Sequence, residues 1–370
     1  MKLAIAGGGT GGHLFPGLAV AQLARERGVA EEVVFFGAER GIESWAVPKA
    51  GFELVAEKVH GIAGGSRLAA LRSIGEMLAA TRRARREIRR RGIHVVIGLG
   101  GYASAPAVLA ARSLGVPVVL LEQNRRPGIS NRSLGYLATK VCTSFESSAS
   151  SFPAGKVVCT GNPLRSGFAQ RPPFAGRDLL LIFGGSGGAR SLNRAMTASL
   201  ATVASDPLLL SQLPGGRLPP IVHQVGQAFV DEVREAYAKA GVAAEVTAFL
   251  DDMPAMYARA RLAVCRAGAT SIAELLATGT PSVLVPLATS AADHQTENAR
   301  ELEVAGAARL VPDDEHCARA LTRCVVELLP GDETLGLMAD RTAALGRPGA
   351  AERVLNLVVS LAGPGSSPCR

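Results

Sequence analysis

Short β-branched and aliphatic runs alternate with helix-length amphipathic segments along the whole chain. That is the pattern of parallel strands joined by crossover helices, so the predicted class is α/β. In the first half, strands are expected near 2–6, 32–37, 52–57, 93–98, 116–121, 138–143 and 156–160. Gly161, Asn162 and Pro163 then break the pattern, and Arg171, Pro172, Pro173 and Gly176 follow before a new strand, which marks a hinge. The second half repeats the style with strands near 179–183, 220–225, 245–249, 261–265, 281–286 and 307–311. A Leu/Val-rich helix over 352–361 and a Gly/Pro/Ser tail close the chain. Each half opens with strand, glycine loop and helix, IAGGGTGGH from Ile5 and IFGGSGGAR from Ile182, so two similar sheets are expected. Doubly wound sheets collect ligands at the carboxyl ends of their strands, and two such domains facing one another would enclose a cleft.

Length agrees, because 370 residues is long for one core and suits two domains. With 48% hydrophobic and 19% charged residues the chain can bury sizeable cores and is not disordered. The longest apolar stretches, at 116–121 and 282–287, are strand-length, well short of the roughly 20 residues a spanning helix needs. Residues 2–6 read as a strand entering a glycine loop rather than as a leader, so a cytoplasmic chain is expected. Six scattered cysteines, with no CxxC pair and no histidine at ligand spacing, read as reduced, mostly buried thiols.

Charge changes the picture more. A formal net charge of +8 favours anionic partners: nucleic acid, phosphorylated substrates or an acidic membrane surface. Seven arginines sit in one run at 82–91 (RRARREIRRR), just after Ile74, Met77 and Leu78. Aromatic residues are only 4% and none interleaves the run, which disfavours nucleic acid. Arg82, Arg83, Arg85 and Arg86 on a helix beside those apolar side chains suit anionic headgroups, and a solvated basic face is the plainer alternative.

Four loops at predicted strand ends are rich in glycine or small residues: 7–12, 98–104, 184–188 and 267–271. Gly7, Gly9 and Gly12 satisfy GxGxxG, with Glu39 near where a ribose-binding acid would stand in a dinucleotide enzyme. The same loop also suits any oxygen-rich group at a helix N-terminus, or a tight turn with no ligand. One dinucleotide site does not need four such loops. Ser186 with Arg190 suits a phosphate, and residues 268–271 offer N–H groups at the start of a helix that carries Glu274. Glu274 can accept from ribose hydroxyls or simply favour the helix dipole. Gln295 and Asn298, three apart in DHQTEN at 293–298, can bracket sugar hydroxyls, or the segment is an ordinary helix capped by Asp293.

GGGTGGHLFPGLAV at 7–20, GLGGYASAP at 98–106, EQN at 122–124, GNPLR at 161–165, GGSGGAR at 184–190, FLDDM at 249–253, CRAGATSIAE at 265–274 and DHQTEN occur in one order over nearly the whole chain. Together they closely resemble the MurG family of UDP-N-acetylglucosamine transferases. The resemblance implies a GT-B fold, with an acceptor and membrane-facing domain over 1–163, a UDP-GlcNAc-binding domain over 164–346, and a helix and tail over 347–370 that cross back. It implies transfer of GlcNAc, with inversion, onto lipid I to give lipid II and UDP, within peptidoglycan synthesis. Thr10, Gly11, Gly12 and Asn124 would face the acceptor side. Arg165 and Ser186 would belong to the nucleotide-diphosphate set, Leu250 would meet uracil through its backbone, and Gln295 would meet the GlcNAc hydroxyls with Asn298 beside it. Ala269, Thr270, Ser271, Ile272, Ala273 and Glu274 would hold phosphate and ribose. Leu121 stands where the family often has histidine, and Gly187 where it often has glutamine.

Inversion in one displacement needs a base for the acceptor hydroxyl and stabilisation of departing UDP, but no nucleophile. His13, directly after the glycine loop, is the first candidate, since histidine ordinarily titrates near neutrality. Its alternative role is to orient acceptor phosphates, and Glu122 is the second candidate base. His60, His94, His223 and His316 match no motif and read as structural. With no aspartate-x-aspartate motif, helix N-termini and Arg165 are expected to neutralise the diphosphate without a metal or cofactor. The lipid-linked acceptor puts the expected reaction at the cytoplasmic face of the inner membrane, with other cell-wall synthesis proteins as further partners.

Overall fold

The computed structural model describes residues 1–57, 67–168, 171–185, 187–287 and 293–363, with the side chains of 67–72 outside that description. Ser186, His60 and Cys369 therefore lie outside the described residues. Within them, β1 (Lys2–Ala6), β2 (Glu32–Ala38), β3 (Glu53–Glu57), β4 (Val95–Gly98), β5 (Val118–Glu122), β6 (Lys140–Thr143) and β7 (Val157–Cys159) form one sheet in the order β3-β2-β1-β4-β5-β6-β7. β8 (Leu179–Phe183), β9 (Ile221–Gln224), β10 (Glu245–Thr247), β11 (Ala260–Cys265), β12 (Ser282–Leu284) and β13 (Ala308–Leu310) form another, ordered β10-β9-β8-β11-β12-β13. Every pairing between these strands is parallel. The α/β reading holds, each expected strand is present, and the ends differ by no more than two residues.

The chain divides into two compact units, Met1–Ser166 with Gly349–Arg370, and Gly167–Pro348. In the first, strand alternation sorts the core onto two faces. Leu3, Ile5, Val95, Ile97, Val119 and Leu121 pack against Leu14, Leu18 and Ala21 of helix Gly11–Glu26 and against Val354 and Val358 of helix Ala350–Leu361. Ala4, Ala6, Val96 and Leu120 face Ala84 and Ile88 of helix Arg67–Arg91 and Ala107, Val108 and Ala111 of helix Ala105–Ser113. Leu121 is thus a core residue on the face opposite Leu120, which is why an apolar side chain is accommodated there.

In the second unit, Leu180, Ile182, Leu262, Val264, Val283 and Val285 pack against Leu192, Met196 and Leu200 of helix Arg190–Ser205 and against Leu321 and Val325 of helix Cys317–Leu328. Cys142, Cys265 and Cys317 are buried free thiols, as expected. Burial pushes the Cys317 thiol up to about 11 and that of Cys142 up to about 12, so both stay protonated and unreactive.

His94 and His223 have structural roles. His94 Nδ1 accepts from the Lys2 N–H at 3.0 Å and so fixes the entry to β1. His223 on β9 is fully buried, with Nδ1 2.8 Å from the Tyr237 hydroxyl. Burial lowers its titration from 6.5 to about 3. A folded-state value depressed below the unfolded one adds stability at neutral pH that is lost as pH falls from 6.5 towards about 3. The slope from one such group is at most about 1.4 kcal/mol per pH unit. Urea midpoints measured from pH 7 to pH 4 are expected to fall, and His223→Gln is expected to flatten the slope by about one proton; an unchanged slope would assign the acid sensitivity to another group.

Candidate functional site

In a doubly wound sheet the ligand crevice opens where the strand order reverses, because loops leaving the two central strands turn to opposite faces. The reversal falls between β1 and β4 in the first unit and between β8 and β11 in the second. Both glycine loops lie there.

In the first unit the loop at 7–10 rests on a carboxylate that sequence reasoning did not single out. Glu43 is fully buried, and its Oε2 accepts from the Gly9 N–H at 2.9 Å while Oε1 accepts from the Ala38 N–H at 3.1 Å. A Cβ on Gly8 would stand 2.6 Å from the Glu43 carboxyl carbon, so the loop can cross this group only as glycine. The dinucleotide reading weakens here for a physical reason. A pyrophosphate would approach a loop whose Gly9 donor is already engaged, above a buried acidic group of the same sign.

Thr10 occupies the N-cap position of helix Gly11–Glu26, yet its side chain makes no cap hydrogen bond. Its Oγ1 lies instead 2.9 Å from His13 Nδ1. When Nδ1 carries the proton it donates to Thr10, and Nε2 keeps the lone pair that a base needs. The His13 ring also packs on the β4 loop, where a Cβ on Gly100 would come within 3.3 Å of His13 Cδ2 and 2.9 Å of Asn131 Nδ2.

Asn131 Nδ2 in turn donates to Glu122 Oε2 and to the Leu121 carbonyl, both at 2.9 Å. Glu122 Oε1 accepts from the Asn124 N–H at 2.9 Å. Only 2% exposed, Glu122 is pushed above the usual carboxyl range by burial, against the pull of these hydrogen bonds. It orders the half-buried Asn124 but is itself enclosed. A base must come within about 2.6–3.2 Å of the oxygen whose proton it removes, so the half-buried His13 is better placed.

In the second unit the loop after β8 meets the loop after β9 backbone to backbone. A Cβ on Gly188 would fall 1.9 Å from the Val225 carbonyl oxygen. Asn193 Nδ2 holds the same carbonyl at 3.0 Å and locks the first turn of helix Arg190–Ser205 to it. Beside this loop opens a pocket of about 580 Å³ lined by Gly184, Gly188, Ala189, Arg190, Ser191, Arg194, Arg266, Leu287 and Gln295. Arg266 is its buried corner. Its Nη2 lies 2.8 Å from Asp313 Oδ2 and donates to Ser191 Oγ at 2.6 Å, while Nη1 donates to the carbonyls of Val285 and Pro286 at 3.0 and 3.1 Å.

Ala269, Thr270, Ser271, Ile272, Ala273 and Glu274 begin the next helix, Ala269–Thr278. Ile272 turns into the core, so only its backbone can serve a ligand, and Glu274 stays half-buried with Oε2 accepting from the Tyr257 hydroxyl at 3.0 Å. The N-terminus of helix Arg190–Ser205 opens on the pocket, and its Arg190 and Arg194 also pair with Glu232 at 3.9 and 3.1 Å. Leu250 is half-buried in the turn before helix Met253–Arg259, next to the exposed Phe249.

Gln295 belongs to the pocket, with its Oε1 accepting from the Leu287 N–H at 3.0 Å. Asn298 does not share that role. It is fully buried and its Nδ2 donates to the Ala267 carbonyl at 3.3 Å, so it supports the loop before Ala269 rather than a sugar. Asp293 sits at the start of helix His294–Val304 in a left-handed conformation, φ 57°, without the side-chain cap expected of it.

Residues 3–143 match the glycosyltransferase family 28 N-terminal domain and residues 179–354 the glycosyltransferase family 28 C-terminal domain. The chain belongs to glycosyltransferase family 28. It is 42% identical, over 98% of its own length and 93% of the relative's, to the UDP-N-acetylglucosamine–N-acetylmuramyl-(pentapeptide) pyrophosphoryl-undecaprenol N-acetylglucosamine transferase of Myxococcus xanthus (strain DK1622). The protein of the same name from Syntrophotalea carbinolica (strain DSM 2380 / NBRC 103641 / GraBd1) is 41% identical over 98% of this chain and 99% of its own. Among solved structures, Acinetobacter baumannii MurG superposes with a TM-score of 0.77 at 30% identity, covering 97% of this chain and 99% of the other. The Neisseria meningitidis UDP-GlcNAc 2-epimerase, at 15% identity and a TM-score of 0.66, shares the fold. The GT-B assignment and the identification as an N-acetylglucosamine transferase of this family therefore stand.

The basic run of this family 28 transferase divides in two. On helix Arg67–Arg91, Ile74 (53% exposed), Leu78 (50% exposed), Arg82, Arg85 and Arg86 follow three- and four-residue spacing along one exposed face, with Met77 half-buried beside them. Arg83 turns instead to the buried Glu57, donating from Nε and Nη2 at 2.9 and 2.6 Å. Arg90 pairs with Glu87, and Arg91 with Glu32 and Glu53, so this end fastens the helix to the sheet. Arg165 is exposed near the end of the first unit.

Glu43→Gln would set an amide NH₂ against one of the two N–H groups that now share the carboxylate. Leaving one buried partner unsatisfied is expected to destabilise the first unit by about 1–3 kcal/mol, read as an earlier urea transition. A variant as stable as the parent would show that the Gly9 and Ala38 contacts do not hold the loop.

Proposed function

We propose that this chain transfers GlcNAc from UDP-GlcNAc to the C4 hydroxyl of N-acetylmuramyl-(pentapeptide) pyrophosphoryl-undecaprenol, converting lipid I to lipid II with inversion. The observation that carries the reading is the second-unit pocket. The crowded glycines Gly184 and Gly188, the N-terminus of helix Arg190–Ser205 and the exposed Arg190 and Arg194 border one space together with Gln295. The relatives' names supply the donor and acceptor.

In this reading Ala269, Thr270 and Ser271 hold the donor diphosphate, with Arg165 and Ser186 in the same set. Glu274 takes ribose hydroxyls, the backbone of Leu250 meets uracil, and Gln295 meets the GlcNAc hydroxyls. Thr10, Gly11, Gly12 and Asn124 face the acceptor. The acceptor oxygen attacks the anomeric carbon as the bond to the UDP oxygen breaks, and the hydroxyl proton passes to His13 Nε2. Negative charge growing on UDP is stabilised by N–H groups and guanidinium donors already in place, which is the form of electrostatic assistance that needs least rearrangement. Radiolabelled UDP-GlcNAc and lipid I are expected to yield lipid II. His13→Ala should lower kcat by about 10²–10⁴ with unchanged UDP affinity; a loss under about tenfold would remove the base role.

The exposed face of helix Arg67–Arg91 gives the enzyme a peripheral seat on an anionic membrane, with Ile74, Met77 and Leu78 dipping in while Arg82, Arg85 and Arg86 meet headgroups. Among the described residues no helix is long and apolar enough to cross a membrane. Each arginine near such a surface contributes about 1 kcal/mol. Flotation with vesicles containing anionic lipid is expected to carry the protein, and an Arg82, Arg85 and Arg86 triple substitution to glutamine should leave it behind. Equal flotation on neutral vesicles would overturn the seat.

A further inference from the structure

Tyr257 has no place among the ligand-facing residues, yet it is the largest fully buried side chain of the described residues. It lies on helix Met253–Arg259, and its ring meets Phe168 and Phe183 edge-on, with centroids 5.9 and 5.8 Å away. Phe183 is the last residue of β8, immediately before the glycine loop. The phenol oxygen is therefore fixed relative to that loop, and its hydroxyl donates to Glu274 Oε2 at 3.0 Å.

We infer that Tyr257 is a positioning residue that aims the Glu274 carboxylate at the ribose of the nucleotide and so sets how strongly the site distinguishes a ribonucleotide from a deoxyribonucleotide. The inference rests on the assignment of Glu274 to ribose made above. A glutamate on a helix swings through several rotamers, and a carboxylate offers about four acceptor positions. One bond from a rigid, buried phenol removes most of that freedom from the half-buried side chain. Because the same ring rests on Phe183, the ribose contact and the glycine loop are held in one register. Phenylalanine would keep the ring packing and remove the hydroxyl that bonds Glu274.

The test is calorimetric binding of UDP and of 2′,3′-dideoxy-UDP to the full chain, as parent, Tyr257→Phe and Glu274→Ala. The parent is expected to prefer UDP. Tyr257→Phe should weaken UDP binding roughly three- to tenfold, less than the full worth of a hydrogen bond to a charged group because the carboxylate stays and only its aim is lost, while dideoxy-UDP binds as before. Unchanged dideoxy-UDP binding also reports an intact fold. If Tyr257→Phe weakens both ligands equally, or neither, while Glu274→Ala abolishes the preference, the positioning role is overturned and the ribose assignment survives. If Glu274→Ala leaves the preference intact, the ribose assignment itself falls.

Discussion

Every strand pairing in the two sheets is parallel, so the connections that carry chemistry leave from one edge of each sheet and have to turn where ligands bind. That crowding is the constraint on which the rest depends. It brings the Gly188 backbone against the Val225 carbonyl and the Gly8 backbone against the Glu43 carboxyl group, at distances that admit no side chain. Once these contacts are fixed, the first turns of helices Gly11–Glu26 and Arg190–Ser205 are fixed too, and with them the positions of Thr10, His13, Ser191 and Asn193.

A second layer of buried polar groups supports the first. Glu43, Glu122 and the Arg266 and Asp313 pair each tie a loop to its neighbour, and Tyr257 ties one helix to the next, rather than present themselves to a ligand. In a low-dielectric setting such groups are costly unless partnered. Their partners here are the backbone and side chains that line the candidate sites. The site is thereby organised before anything binds, which is the arrangement that electrostatic catalysis requires.

Much of this was legible in the chain itself. All thirteen strands of the described residues were expected within two residues, because buried parallel strands write themselves as short apolar runs bounded by glycine. The glycine loops and the helix carrying Glu274 were equally plain. What could not be read was contact through space. Glu43 is 34 residues from Gly9 and Tyr257 is 17 from Glu274, and neither sits in a motif. Local spacing also misled: Asn298 has the periodicity of a ligand-facing residue with Gln295, but the helix turns it towards the Ala267 carbonyl. The arginine run looked uniform, yet Glu57, Glu32, Glu53 and Glu87 claim part of it, and no count of charges reveals which.

The Arg266 and Asp313 contact constrains the ancestry of the chain as well as its shape. The two residues follow different strands and are 10% exposed or less, so replacing either alone strands the other charge away from water. Such a break typically costs about 3–5 kcal/mol, a large part of the about 5–15 kcal/mol by which a folded domain exceeds its unfolded chain. A change at either position alone therefore has to be offset, by a matching change at the other or by stabilising substitutions elsewhere.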